Sequence, residues 1–276
     1  MDYIELTIPV PDTETTEILT AFLADFPFES FTEEEGALKA YIQAEKLTGC
    51  KETVDEMLRS HGVTGTWIHI EPVNWNALWE SGFEPVEIEG RCTILAPFHT
   101  PIPDGTLKVV IMPKMSFGTG HHATTWLMTA ELTNPHHNWH GLRGVDMGSG
   151  TGILAIVAAK LGAAHVDAID IDAWALENCT ENIAVNDVTD RVTPWLGDAS
   201  LLTGRPYDFV LANINRNILL ADMPAYMATL SPGGRLIMSG IFEADIPVIT
   251  EKALSLGLTP AGRRLRDGWA LVVFEK

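Results

Sequence analysis

Apolar and polar residues alternate from Tyr3 to Pro9, with Ile4, Leu6 and Ile8 on one side, which predicts a half-buried strand. Asp12 follows as the expected N-cap of a helix whose apolar face is Ile18, Leu19, Phe22 and Leu23. Phe28 to Phe31 and Leu38 to Ile42 read as strands on either side of Glu33-Glu34-Glu35-Gly36, whose charge marks a solvated turn. Val54, Met57 and Leu58 mark a second helix ending near Gly62, and Thr66 to Ile70 reads as a strand before Pro72. The order β-α-β-β-α-β predicts a small ferredoxin-like α+β domain over residues 1–72. Its open sheet face suits either binding or packing.

Trp75, Leu78, Trp79 and Phe83 precede Pro85, so residues 73–85 are expected to form an amphipathic linker helix. Glu87 to Leu95 and Lys108 to Ile111 then read as strands, separated by a loop marked by Pro97, Pro101, Pro103 and Gly105. From there strands and helices alternate. The expected strands are Arg143–Met147, Ala164–Ile169, Val192–Leu196, Phe209–Ala212 and Arg235–Ser239. The helices between them include Ile153–Leu161, Trp174–Asn186 and Ile218–Leu230. Leu258–Leu265 and Trp269–Phe274 form an expected closing hairpin across Arg266-Asp267-Gly268, with the last strand antiparallel. Residues 86–276 therefore predict a doubly wound α/β domain built on a mainly parallel, seven-stranded sheet.

The candidate chemistry sits where the first of these strands becomes a helix. Gly144-Val145-Asp146-Met147-Gly148-Ser149-Gly150-Thr151-Gly152 places Gly148, Gly150 and Gly152 at a turn where side chains are absent. Amides at the helix start are expected to face a ligand there. Asp170 closes the next strand, roughly twenty positions beyond Gly148, where a carboxylate accepts ribose hydroxyls. The spacing G-x-G-x-G differs from the G-x-G-x-x-G of nicotinamide dinucleotide loops. A dinucleotide and a bare glycine turn stay open as alternatives to another nucleoside-containing cofactor.

Asn213 ends the fourth strand. Its amide both donates and accepts, which suits a reacting amine or the amino-acid end of a cofactor; a helix N-cap is the alternative. Asp198, after the third strand, is placed to reach an adenine amino group or to cap a surface helix. A second glycine loop, Ser116 to Thr125, offers Gly118 and Gly120 for a tight wrap, Phe117 as an apolar lid and Thr125 as a hydroxyl at a helix start. By its residues alone it also reads as a flexible linker.

Composition narrows the classes. Apolar residues make up 46% of the 276, enough for a buried core, and no apolar run reaches the ~20 residues that span a bilayer. The start Met1-Asp2-Tyr3-Ile4-Glu5 lacks a basic n-region, and Cys50, Cys92 and Cys179 form no CxxC pair, so a reduced, cytoplasmic setting is expected. With 37 acidic against 18 basic residues the net charge is −19. That disfavours a phosphate backbone as the main ligand and suits a basic partner or simple solubility. His121, His122, and the run His136-His137-Asn138-Trp139-His140 lack metal-ligand spacing, and no metal is expected.

Over nearly its full length the chain resembles the ribosomal protein L11 methyltransferase (PrmA) family of class I S-adenosylmethionine-dependent methyltransferases. The likeness is carried by Phe117-Gly118-Thr119-Gly120, by His122-Ala123-Thr124-Thr125 and by Asp146 to Ala155. It continues through Asp170-Ile171-Asp172, Ala212-Asn213-Ile214, Pro232-Gly233-Gly234 and Ser239-Gly240-Ile241. The resemblance implies S-adenosylmethionine as cofactor, bound by Thr125, Gly148, Asp170 and Asn213, with Phe117, Gly118, Gly150 and Asp198 beside it. It also implies methyl transfer to lysine and N-terminal amines of a large-subunit ribosomal protein. Asn213 would orient the amine, and the small first domain would recognise the substrate. The chain is expected to act as a monomer, with no membrane and no sequence-specific nucleic acid.

Two segments differ from the family: His121 and Ala123 stand where it usually has Thr and Pro, and Asn215-Arg216-Asn217 replaces small apolar residues. A nucleic-acid methyltransferase and a non-catalytic cofactor-binding module are the competing readings.

Overall fold

A computed structural model of the chain describes residues 2–34, 36–70, 83–99, 105–114 and 116–276. The chain divides into two compact units, residues 1–82 and 83–276.

In the first unit the strands are β1 (Tyr3–Pro9), β2 (Phe28–Glu34), β3 (Ala37–Gln43) and β4 (Thr66–Ile70), ordered β2-β3-β1-β4 in one antiparallel sheet. Between them lie α1 (Thr13–Leu23), the single turn α2 (Ala44–Leu47) and α3 (Lys51–Ser60). Alternation does what the sequence implies: Leu6 and Ile8 of β1, with Leu38, Ala40 and Ile42 of β3, point to one buried face. Leu19 and Leu23 of α1, with Val54 and Leu58 of α3, cover that face. Asp12 caps α1, its Oδ1 accepting from the Thr15 amide at 2.8 Å. The buried stripe of α1 is Thr16, Leu19 and Leu23, and the expected Ile18 and Phe22 are 45% and 41% exposed. The cap fixes the start of the helix, and its 3.6-residue period then turns those two away from the sheet.

The linker helix expected over 73–85 lies, for residues 73–82, outside the described residues; 83–85 are not helical. The second unit opens with a three-stranded sheet of β5 (Val86–Ile88), β6 (Cys92–Leu95) and β7 (Leu107–Val110). The single strand expected over Glu87–Leu95 is instead two antiparallel strands. They reverse at Glu89 and Gly90, where φ is +48° and +64°. Of the proline-marked loop, residues 100–104 lie outside the described residues.

The main sheet has seven strands in the order β10-β9-β8-β11-β12-β14-β13. These are β8 (Arg143–Met147), β9 (His165–Asp170), β10 (Val192–Leu196), β11 (Tyr207–Asn213), β12 (Leu230–Phe242), β13 (Thr259–Arg266) and β14 (Trp269–Glu275). β8 to β12 run parallel, and β14 alone opposes them, pairing antiparallel with both β12 and β13. Asp267 and Gly268, with φ of +51° and +79°, give the hairpin the twist its strands need. Five helices cover the sheet: α4 (Ala123–Leu132), α5 (Ile153–Lys160), α6 (Ala173–Val185), α7 (Arg216–Thr229) and α8 (Ile246–Ser255). One apolar core lies under α4, α5 and α6, and a second under α7 and α8. With both faces covered, the central strand β11 carries a continuous buried apolar run, Phe209 to Ala212. Strand order reverses beside β8, so the carboxyl ends of β8 and β11 flank the crevice where such sheets take ligands.

A buried charge network ties α4 to the closing hairpin. Glu131 accepts from His137 Nε2 at 2.6 Å and from Arg264 Nε at 2.7 Å, and Arg264 also reaches Glu89 at 2.9 Å. Arg235 donates to His137 Nδ1, which leaves the Nε2 hydrogen for Glu131. The hydrogen bond from His137, then that from Arg264, hold the Glu131 carboxyl below the usual range against the opposing effect of burial. A carboxyl lowered on folding adds stability above its unfolded pKa, and loses it as pH falls through the folded value. Glu131→Ala is expected to lower stability at pH 7 by about 2–3 kcal/mol. Urea unfolding at neutral and acidic pH checks this: the difference from the native chain should shrink as the medium is made acidic.

Candidate active site

At the end of β8 the chain turns directly into α5 through residues 148–152. Gly150 has φ +53°, and a Cβ there would stand 2.3 Å from the Phe117 carbonyl oxygen, so the position admits only glycine. The amides of the loop itself, residues 148–152, are taken up inside the protein. Gly148 and Ser149 donate to the Ile169 carbonyl at 2.9 and 3.1 Å, and Gly150 donates to Asp170 Oδ2 at 2.8 Å. Thr151 donates to the Phe117 carbonyl at 3.0 Å, and Gly152 to that of Ser149 at 2.7 Å. A loop sunk between two strand ends must satisfy its donors inside the protein; here neighbouring segments take four of the five and the loop's own Ser149 carbonyl takes the fifth. The glycines supply room and leave the donors spent.

Asp170 closes β9 with both oxygens in use: Oδ2 takes Gly150 and Oδ1 takes the Asp172 amide at 3.0 Å. Each carboxylate oxygen has a further lone pair, so the group stays an acceptor toward the crevice. Behind the loop, Asp146 is fully buried. Burial pushes its carboxyl up to about 8, opposed by a hydrogen bond from Ala155 and reinforced by the nearby Asp170 charge.

The segment 116–120 is no loose linker. Its Phe117 carbonyl takes the Thr151 amide and its Gly118 carbonyl takes the Thr151 hydroxyl at 2.7 Å, which staples the segment onto the glycine loop. Phe117 is left 54% exposed over the crevice. His122 caps α4 by accepting from the Thr124 amide, and Thr125 is fully buried one turn into that helix.

Asn213 ends β11. Its Nδ2 lies 3.5 Å from the Thr125 hydroxyl, and its buried Oδ1 has no partner among the described residues. The helix-cap alternative for Asn213 falls away, because Asn215 caps α7 by accepting from Ile218. Asn215 is the cap, and Arg216 pairs with Asp245 at 2.8 Å, joining the ends of β11 and β12. Asp198 is exposed at the crevice edge and does cap a short 3-10 turn, accepting from the Ser200 amide at 2.9 Å. Hydrogen bonds from Ser200 lower its pKa.

These parts enclose one cavity of about 330 Å³. Phe117, Gly148, Gly150, Asp170, Asp198 and Asn213 line it, while Gly118 and Thr125 stand just behind. Ile218, Asp222 and Tyr226 of α7 also line it and were missed in the sequence. Their four-residue spacing on one helix face was the available signal. Asp170, Asp172, Asp198 and Asp222 all face this space, and no lysine or arginine is among the described residues lining it. Its electrostatics therefore favour a cation. Among the described residues no cluster of three or more His, Cys, Asp or Glu side chains gathers as a metal site.

A family model described as ribosomal protein L11 methyltransferase (PrmA) matches residues 8–276. A ribosomal protein L11 methyltransferase from Porphyromonas gingivalis is 46% identical over 275 residues, covering 96% of this chain and 93% of that one. One from Bacteroides thetaiotaomicron is 44% identical over 281 residues, covering 99% of each. The crystal structure of a ribosomal protein L11 methylase from Lactobacillus delbrueckii subsp. bulgaricus superposes with a TM-score of 0.63 at 25% identity. The match covers 70% of this chain and 98% of that one.

Gly150→Ala puts a side chain against backbone in a left-handed conformation that costs about 1–2 kcal/mol. The staple between residues 117 and 151 should loosen, and exchange of the Thr151 amide, followed by NMR, should accelerate by roughly tenfold.

Proposed function

The chain belongs to the ribosomal protein L11 methyltransferase family, and from that premise we propose that it moves methyl groups from S-adenosylmethionine to amines of ribosomal protein L11. The observation that carries this reading is the cavity itself. A glycine loop whose amides are taken up, the Asp170 carboxylate and Asn213, whose buried oxygen has no partner among the described residues, line one space. Such a space repels a pyrophosphate, which needs free amides, and welcomes a cofactor carrying sulfonium and ammonium charges.

The residues present fit that cofactor. Gly148 and Gly150 leave room for its amino-acid end. Asp170 accepts from the ribose hydroxyls through its remaining lone pairs, and Asp198 accepts from the adenine amino group. The Thr125 hydroxyl, accepting from Asn213, keeps its own hydrogen to donate to the cofactor carboxylate. When bound, the cofactor supplies a methyl already activated on sulfur.

The chain's work is then alignment and exclusion of water, which together supply about 7–11 kcal/mol in well-oriented reactions. Asn213 turns its Nδ2 to Thr125, and its buried Oδ1 keeps its acceptor capacity for a substrate. That oxygen accepts from an amine N–H and aims the nitrogen lone pair. Phe117 shields the reacting atoms. A lysine, with a pKa near 10.4 in water, must shed its proton first; desolvation beside a sulfonium favours that loss and has to outweigh the carboxylates facing the space, which oppose it.

In this reading residues 1–72 are a ferredoxin-like substrate-recognition domain, 73–85 a linker and 86–276 the methyltransferase domain. The strand order of the first unit supports that assignment. The enzyme acts as a cytoplasmic monomer without sequence-specific contact to nucleic acid. The net charge of −19 supports the reading without nucleic acid.

Incubation with labelled S-adenosylmethionine and separated ribosomal proteins or ribosomal RNA tests the proposal. Label in L11 is expected; label in RNA, or in nothing, would overturn it. Asn213→Ala should cut single-turnover rate by roughly tenfold or more, while cofactor affinity by calorimetry changes little. Equal loss in both would refute the orienting role.

A further inference from the structure

A row of rings leads away from the cavity mouth. Phe117, which lines the cavity, meets the edge of His122 at 5.2 Å between centroids. His122 meets Trp269 at 4.8 Å, and Trp269 stacks on Phe242 at 4.2 Å with 29° between planes. The four come from three stretches of chain, and the backbone or ring of each is tied down. The Phe117 carbonyl takes the Thr151 amide, and His122 is fixed as the cap of α4. Phe242 and Trp269 are cross-strand partners of β12 and β14, and the Phe242 amide is pinned by Asp245 Oδ2 at 3.0 Å. Yet Phe242 is 53% exposed, nearly as much as Phe117. Its ring stacks on Trp269 and leaves its other side to solvent.

Resting on the function proposed above, we propose that this row is the docking track for the lysine-bearing segment of the substrate protein, with Phe242 as its outer anchor. Charge complementarity names the occupant. The track ends at a cavity faced by four carboxylates, with no cation among its described lining residues, on a chain of net charge −19. A lysine side chain matches both parts: its stem lies on apolar rings, and its ammonium is drawn to ring faces and then to the acidic mouth. Because the rings are already ordered, contact costs little conformational entropy. An acidic or neutral segment gains nothing from the mouth.

The test is direct binding of purified ribosomal protein L11 to the full chain saturated with S-adenosylhomocysteine, comparing the native protein, Phe242→Ala and Phe242→Leu. Truncating an aromatic anchor should weaken L11 binding about fivefold or more, with leucine recovering part of the loss. Affinity for S-adenosylhomocysteine, measured in the same variants, should stay unchanged. Acetylating the lysines of L11 should weaken its binding to the native chain and erase the difference between native and Phe242→Ala. Equal L11 affinity for native and Phe242→Ala would overturn the track. So would a Phe242→Ala variant that loses S-adenosylhomocysteine in step with L11, since the ring would then belong to the cofactor pocket. A native chain that holds L11 but transfers no methyl would overturn the proposed activity, and the affinity ratio would still decide the track.

Discussion

The arrangement depends on where the five amides of residues 148–152 send their hydrogens. Buried donors must be paired, and these are paired to Ile169, Asp170, Phe117 and Ser149 before any ligand arrives. Two consequences follow. The turn becomes a rigid junction tying β8, β9 and the 116–120 segment together. The crevice above it is faced by four aspartates, so its electrostatics favour positive charge. A fold that elsewhere cradles phosphate on free amides here becomes a cation receptor through the local fate of a few hydrogens.

That rigidity rests on the sheet. α5 is apolar almost all round and sits wholly in the core, so the glycine turn that starts it cannot drift. On the other side, Gly240 at the end of β12 gives way to the backbone of Ile214; a Cβ there would lie 2.3 Å from the Ile214 carbonyl. Arg216 and Asp245 then clamp the same two strand ends from outside. Asn213 is thus held between fixed neighbours, as an orienting group requires.

Much of this was legible in the sequence, for a physical reason in each case. Strands β1, β4, β8 and β10 were read to their ends because two-residue alternation or an unbroken apolar run marks them. Asp170 and Asn213 were placed correctly because both close parallel strands, and such sheets bring those ends together. Local geometry was less readable. A hairpin hidden in Glu87–Leu95 needed the knowledge that Glu89 takes positive φ, which no glutamate advertises. The side of α1 that faces the sheet depended on how Asp12 sets the helix start. Asn215 was overlooked as a cap because Asn213, two residues earlier, offers the same chemistry. Phe242 and Trp269 lie on different strands, and only the sheet's register makes them neighbours.

The most direct measurement of the central claim is a pair of calorimetric titrations of the native chain, one with S-adenosylmethionine and one with NADH. A crevice whose amide donors are spent and whose rim is acidic should bind the first tightly and the second not at all. Binding of the dinucleotide with equal or greater affinity would contradict the account.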